Sequence, residues 1–279
     1  MRLLPIPFLL CAALAAAPPF RTETRTEPLA MGANLRITQG DGKVEIKGWD
    51  RPEVQLVAEF ETGRMRGEAK LEVRRVADGL EIEVDRMKRR RIRFLFFGRY
   101  HDPVCNLTLM VPRRLNVEVR TVDGAVGIQE LEGYAGCRTV DGPIRLQDIS
   151  GEVHARAVDG TITARNLKAR IKGGTVDGNI ALSQVEGGVD VHSVDGSITA
   201  EGLDGWGEGL AFRTVDGSIK VKLGQAKGNL EAKAVDGRVR ANLPGAVYAG
   251  NKRNRFTCAI PGRDQKITFR TVDGNIDIE

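Results

Sequence analysis

The feature that most constrains this chain is a tripeptide, Val-Asp-Gly, that returns eight times. Its aspartates are Asp123, Asp141, Asp159, Asp177, Asp195, Asp216, Asp236 and Asp273. The first four intervals are 18 residues each, followed by 21, 20 and 37. Self-similarity at a short, fixed period marks a solenoid, in which each repeat buries its apolar face against the next. The last interval reads as about two periods, one copy having lost its signature.

A finer period lies inside the first. With Val140 as position 1, apolar residues fall at positions 1, 5 and 7 (Val140, Ile144, Leu146), and again nine residues on (Ile149, Val153, Ala155). Positions 5 and 7 alternate with polar residues, as a strand with one buried face requires. Glycine at position 3 of most halves suits a sharp turn. Nine residues therefore make one strand and one turn, and 18 make one coil with two faces. A triangular coil of hexapeptide sides would space inward residues six apart, which this pattern does not. The expected fold is all-β: a parallel β-solenoid of about 18-residue coils in two nine-residue halves, behind an N-terminal β cap. Val122, Val140, Val158, Val176, Val194 and Val215 are expected to form one buried ladder, each followed by an exposed Asp.

Taken in order, residues 1–17 resemble a signal peptide. Arg2 gives a basic start, Leu3 to Leu14 is largely apolar, and Ala13-Leu14-Ala15 fits small-residue cleavage. The apolar run is too short to span a membrane, so no transmembrane span is expected in the mature chain. Residues 18–31 read as a linker, 32–115 as the β cap and 116–279 as the solenoid with Val-Asp-Gly repeats. In the cap segment, Lys70 to Val73 and Leu80 to Val84 alternate and are joined by a turn at Asp78-Gly79. Helical periodicity is absent. The 33 glycines and the 5% of aromatic residues suit tight turns around a thin core.

Cys105, Cys137 and Cys258 remain after the leader, and no pair has the spacing of a metal site. Cys137 falls at position 7 of its half-coil, stacked above Ala155, Gly173, Val191 and Phe212, where a small buried hydrophobe is expected. Spacing does not decide whether Cys105 and Cys258 pair.

Three stretches together carry a family resemblance. Gly42-Lys43-Val44-Glu45-Ile46-Lys47-Gly48-Trp49-Asp50 comes first, then Leu107-Thr108-Leu109-Met110-Val111-Pro112, then the Val-Asp-Gly-x-Ile units. In that order they resemble an exported bacterial β-strand-repeat domain of unknown function, known as "putative adhesin", over roughly Gly32 to Glu279. The resemblance implies a β-solenoid head with no known active site. Asp in every turn departs from that family, where Ser-Gly is commoner.

Coils stacked about 4.8 Å apart would set the aspartates in a column of like charges, repelling by roughly 1 kcal/mol per neighbour in a water-like medium. Arg120, Arg138, Arg156, Arg213 and Arg270, with Lys233 and His192, each stand three residues before an Asp, and only Gly174 breaks the series. A basic ladder is therefore expected to pair with the acidic one. Calcium is the rival, but it wants six to eight oxygens, and the nonapeptide motif of calcium-binding β-rolls is absent. No metal or cofactor is expected.

A catalytic site would need carboxylates and bases converging on one patch. The outward residues after each turn are bland, and His101, His154 and His192 lie far apart in the chain. No enzyme activity is expected. One stretch suggests contact: Lys88, Arg89, Arg90, Arg91 and Arg93 precede Leu95 and Phe97, mixing charge with apolar bulk. Export argues against nucleic acid. The expected partner is an envelope protein, polysaccharide or anionic lipid surface. The chain is thus read as an exported, periplasmic or cell-surface, non-enzymatic scaffold or adhesin-like interaction module. The alternative is a carbohydrate-binding or polysaccharide-degrading β-helix.

Overall fold

The structure is a computed structural model and describes residues 20–61, 69–86, 104–206 and 208–279. Every regular element among them is a strand, from Phe20–Pro28 to Ile276–Ile278. The 18-residue period is the strand register itself. Ile144 pairs with Ile162, Ile162 with Ile180 and Ile180 with Ile198, all in parallel. The 21-residue interval is absorbed between Asp204 and Gly209, after which Ile198 pairs with Ile219.

One coil shows why the sequence folds this way. In Ile144–Arg156, Ile144, Leu146, Ile149, Val153 and Ala155 are buried, and Arg145, Gln147 and Arg156 are exposed. The alternation slips once, at Asp148, whose φ of 53° is left-handed. Glu130, Asn166 and Gln184 stand one coil away in turn with φ of 56°, 51° and 53°. This left-handed column turns the chain from the first face to the second. The residue after it (Leu131, Ile149, Leu167 or Val185) is buried each time.

Coil order differs from chain order at both ends. Asn34–Thr38 lies between Gly79–Arg86 and Asn116–Arg120, and Val44–Trp49 lies between Cys105–Pro112 and Val126–Arg138. At the other end, Lys266–Asp273 slots between Leu210–Arg213 and Gly228–Asp236. The 37-residue interval is therefore not two periods with a lost copy. It holds an antiparallel hairpin, Val247–Lys252 with Arg255–Ile260, and then a return into the stack. Antiparallel strands also close the first end, where Glu53–Glu61 pairs with Cys105–Pro112 and Phe20–Pro28 pairs with Glu53–Glu61. Such caps keep a parallel stack from offering a growing edge.

The core is one continuous apolar column. Cys137, Ala155, Gly173, Val191 and Phe212 are neighbours in register, as the spacing predicts. The column thickens toward the C-terminal cap, where Phe212 stacks on Phe269 with centroids 5.2 Å apart.

Candidate functional site

The corner at Arg138-Thr139-Val140-Asp141-Gly142 overturns one expectation. The valines are not buried: Val122, Val140, Val158, Val176, Val194 and Val215 are 38–45% exposed, as are Val272 at 40% and Val235 at 53%. The buried residue is the one before. Thr121, Thr139, Thr175, Ser193, Thr214 and Thr271 all lie inside, with Ala157 and Ala234 in the same place. The reason is continuity of the strand. Alternation through Val153 and Ala155 carries straight on to Ala157, which leaves Val158 outside.

A hydroxyl is tolerated inside because it is bonded. Thr175 Oγ1 donates to the carbonyls of Val158 and Gly160, each at 3.1 Å, and Thr214 Oγ1 to that of Gly196 at 2.9 Å. Each hydroxyl thus fastens its corner to the coil below. The glycine is fixed by space. A Cβ on Gly160 would lie 2.1 Å from the carbonyl oxygen of Gly142, and one on Gly196 2.0 Å from that of Gly178.

The corner therefore carries three parallel rows: Arg138 and its equivalents, broken once by Gly174, then Val140 and its equivalents, then Asp141 and its equivalents. All eight aspartates are exposed. Bridges join Asp123 to Asp141, Asp141 to Asp159, Asp195 to Asp216 and Asp216 to Asp273, while Asp273 pairs with Asp236. Asp177 holds its rung by donating its N–H to Val158 O at 2.9 Å. Asp41, from the Gly40-Asp41-Gly42 turn, is a further rung that the Val-Asp-Gly pattern alone misses, since Gly replaces its valine.

The expected pairing of the two charged rows is not made. Among the described residues, no ion pair joins any of the eight Val-Asp-Gly aspartates to a cation. Arg120 turns to Glu118 at 2.6 Å and Arg213 to Asp190 at 3.0 Å, both on the strand face. The cause is geometric: Arg138 leaves the flat face and Asp141 leaves the corner, with an outward valine between them. Asp141 shows the consequence. Partial desolvation, then the charges of Asp123 and Asp159, hold its carboxyl above the usual range.

The other sequence candidates lie elsewhere. Lys88, Arg89, Arg90, Arg91, Arg93, Leu95 and Phe97 lie outside the described residues. The structure does place their flanks, Arg86 and Val104, and Val104 bridges Asp41 at the end of the aspartate row. Cys105, Cys137 and Cys258 are all free and buried. Burial pushes the Cys105 and Cys137 thiols up to about 12 and also raises Cys258, so none is poised as a thiolate.

One cluster was not visible in the sequence. Tyr134 and His154, one coil apart, meet edge to face, with the hydroxyl 3.3 Å from Nδ1, and His154 Nε2 lies 2.9 Å from Glu152. His154 and then Lys172 hold the Glu152 carboxyl below its usual range. The cluster sits on an open strand face beside a depression of about 150 Å³ that also reaches Arg138 and Arg156. It has no enclosed pocket to exclude water. A larger depression of about 500 Å³ on the opposite face is floored by Ala181 and Thr199 and rimmed by Arg165, Glu201 and Lys222. Among the described residues, no three His, Cys, Asp or Glu side chains converge to hold a metal. Nor is any helix there long and apolar enough to cross a membrane.

Residues 30–279 match the protein family described as Toastrack DUF4097. No curated protein matches. Solved structures do, each at 14% identity. One is titled a "putative lipid binding protein", from Parabacteroides distasonis, covering 92% of this chain and 96% of its own with a TM-score of 0.50. A second is a "putative adhesin" from Bacteroides fragilis, at 93% and 97% with a TM-score of 0.46. A third is a "putative cell adhesion protein" from Clostridium sporogenes, at 92% and 99% with a TM-score of 0.29. At 14% identity the likeness to the Parabacteroides structure concerns the fold alone.

Proposed function

The chain belongs to the Toastrack DUF4097 family, and from that premise we propose that it serves as an exported, non-enzymatic interaction module of the cell envelope. In this reading a stiff solenoid holds rows of side chains toward a partner. One observation carries it: eight valines, 38–53% exposed, stand in a single line at the corner of the coils. Single exposed apolar residues are ordinary, but a contiguous line of them marks a contact surface. The polysaccharide-degrading alternative lacks support, because the Tyr134, His154 and Glu152 cluster has no closed pocket beside it.

The basic run at Lys88, Arg89, Arg90, Arg91 and Arg93, with Leu95 and Phe97, is proposed as a second contact, suited to an anionic partner. A photo-activatable cross-linking residue placed at Val176, at Phe97 or at Thr199 on the strand face away from the valine row tests both contacts in intact cells. Val176 should capture a partner and Thr199 should not. Equal capture from Val176 and Thr199 would overturn the module reading. Capture from Phe97 no stronger than from Thr199 would remove the basic run as a contact.

A further inference from the structure

The three rows at the corner are complementary to themselves. Across the ridge they run basic, apolar, acidic, as in Arg138, Val140, Asp141 and in Arg156, Val158, Asp159; the basic row is interrupted on the next coil, where Gly174 precedes Val176 and Asp177. Two such ridges can be brought face to face by a two-fold axis in two ways. If the axis crosses the ridge, basic row meets basic row and acidic meets acidic. If it runs along the solenoid, each valine row meets the other, each basic row meets an acidic row, and every rung stays level with its counterpart.

We propose that the ridge is the interface of a parallel homodimer, whose two-fold axis runs along the solenoid. This rests on the module reading above and names its partner as a second copy of the chain. Several observations converge on it. The apolar row is one side chain wide and flanked by acid, a poor match for an anionic lipid surface. Its rungs recur at the strand spacing of roughly 4.8 Å, which a second copy repeats rung for rung. Arg138, Arg156 and Arg270 are exposed and make no ion pair among the described residues, so they are free to reach across. The eight Val-Asp-Gly aspartates likewise have no cation of their own chain in contact among the described residues. Symmetric pairing of one patch on itself is also the commonest form of assembly.

The area sets the strength. Eight rungs give a row about 34 Å long. A strip about 12 Å wide then covers on the order of 400 Å² per partner, against about 800 Å² in a standard interface. The dimer is therefore a weak one, to be sought at about 100 µM protein or at high local density.

Single cysteines at Val122, Val176 and Val235, the first, a middle and the last position of the row, test both existence and orientation. The native thiols are buried and remain in place. In a parallel dimer each variant cross-links to itself under mild oxidation. If only Val176→Cys does so, while a mixture of Val122→Cys and Val235→Cys cross-links, the ridges run antiparallel and the proposal is wrong. A second arm uses charge. Arg156→Asp should weaken self-association by about tenfold or more, and Arg156→Asp combined with Asp159→Arg should restore it. Circular dichroism confirms that each variant folds. A monomer at every concentration, without cross-links, overturns the dimer. The module reading then stands or falls separately, on whether Val176 captures a different protein in cells.

Discussion

Val140 and Ile149, nine residues apart, are apolar residues that each stand at a change of direction in the chain: Val140 at the break between two strands, Ile149 just after Asp148 within Ile144–Arg156. Val140 is 41% exposed and Ile149 is 1% exposed. The difference lies in how each corner is made. At Asp148 one left-handed residue resets the alternation, so the next side chain swings inward. At Thr139 the alternation continues unbroken, the hydroxyl goes inside and bonds the coil below, and the valine is left in solvent. The two corners thus have different duties. The left-handed one turns the chain between faces, and the other displays a row.

That contrast is open to breakage, and the widest gap should come from charge. Val185→Asp places an unpaired carboxylate in the core and should cost more than about 4 kcal/mol, or prevent folding. Val176→Asp, nine residues earlier and already 42% exposed, should cost less than about 1 kcal/mol. Denaturant unfolding of the two variants measures the difference. Equal losses would mean that the two corners are not distinct.

The glycines give a smaller and more local contrast. A Cβ at Gly178 would lie 2.3 Å from Gly160 O and 2.7 Å from Thr175 Oγ1. Gly178→Ala must therefore push neighbouring coils apart and should cost more than about 2 kcal/mol. Gly202 belongs to the left-handed column, with φ of 64° and no atom nearer than 3.6 Å. Asn166 already adopts that conformation, so Gly202→Asn should change stability by no more than about 0.5 kcal/mol. Thermal melts of the pair decide whether the first glycine serves space and the second serves conformation.

The smallest effect should be the pH dependence of the aspartate row. Asp141 holds its proton more tightly in the folded chain than in the unfolded one, where its reference value is about 4. Its contribution to stability is therefore fullest below that value and declines as pH rises through the folded one. Asp141→Asn should raise the melting temperature at neutral pH and leave it unchanged in acid. A fall at neutral pH would show that the row is stabilised by its charge.

The period of 18 and the inward set Ile144, Leu146, Val153 and Ala155 were legible in the sequence, and so was the burial of Cys137. They rest on one strand's alternation and on a register that repetition enforces, so local pattern was enough. The exposure of the valine row was not legible, because valine is the more apolar of the Thr-Val pair and hydrophobicity alone places it inside. Strand alternation puts the residue before the valine inside, and hydrogen bonds to the neighbouring coil let threonine occupy that place. Counting parity onward from Val153 through Ala157 would have shown it. The Tyr134 and His154 contact was hidden because its partners are 20 residues apart and meet only when coils stack.

The sequence by itself determined the repeating unit, the all-β character and the column of aspartates, since each follows from spacing within a single coil. Tertiary structure alone decided the order of the coils. Lys266–Asp273 inserts beside Leu210–Arg213 rather than after Gly228–Asp236 because every coil offers the same backbone edge. Which edge a strand takes is therefore set by what its flanking chain must do, here the hairpin of Val247–Lys252 and Arg255–Ile260. Tertiary structure also decided which side chains the corner shows to solvent. That depends on a left-handed residue at one corner and on unbroken strand alternation through the other, which hydrophobicity does not encode.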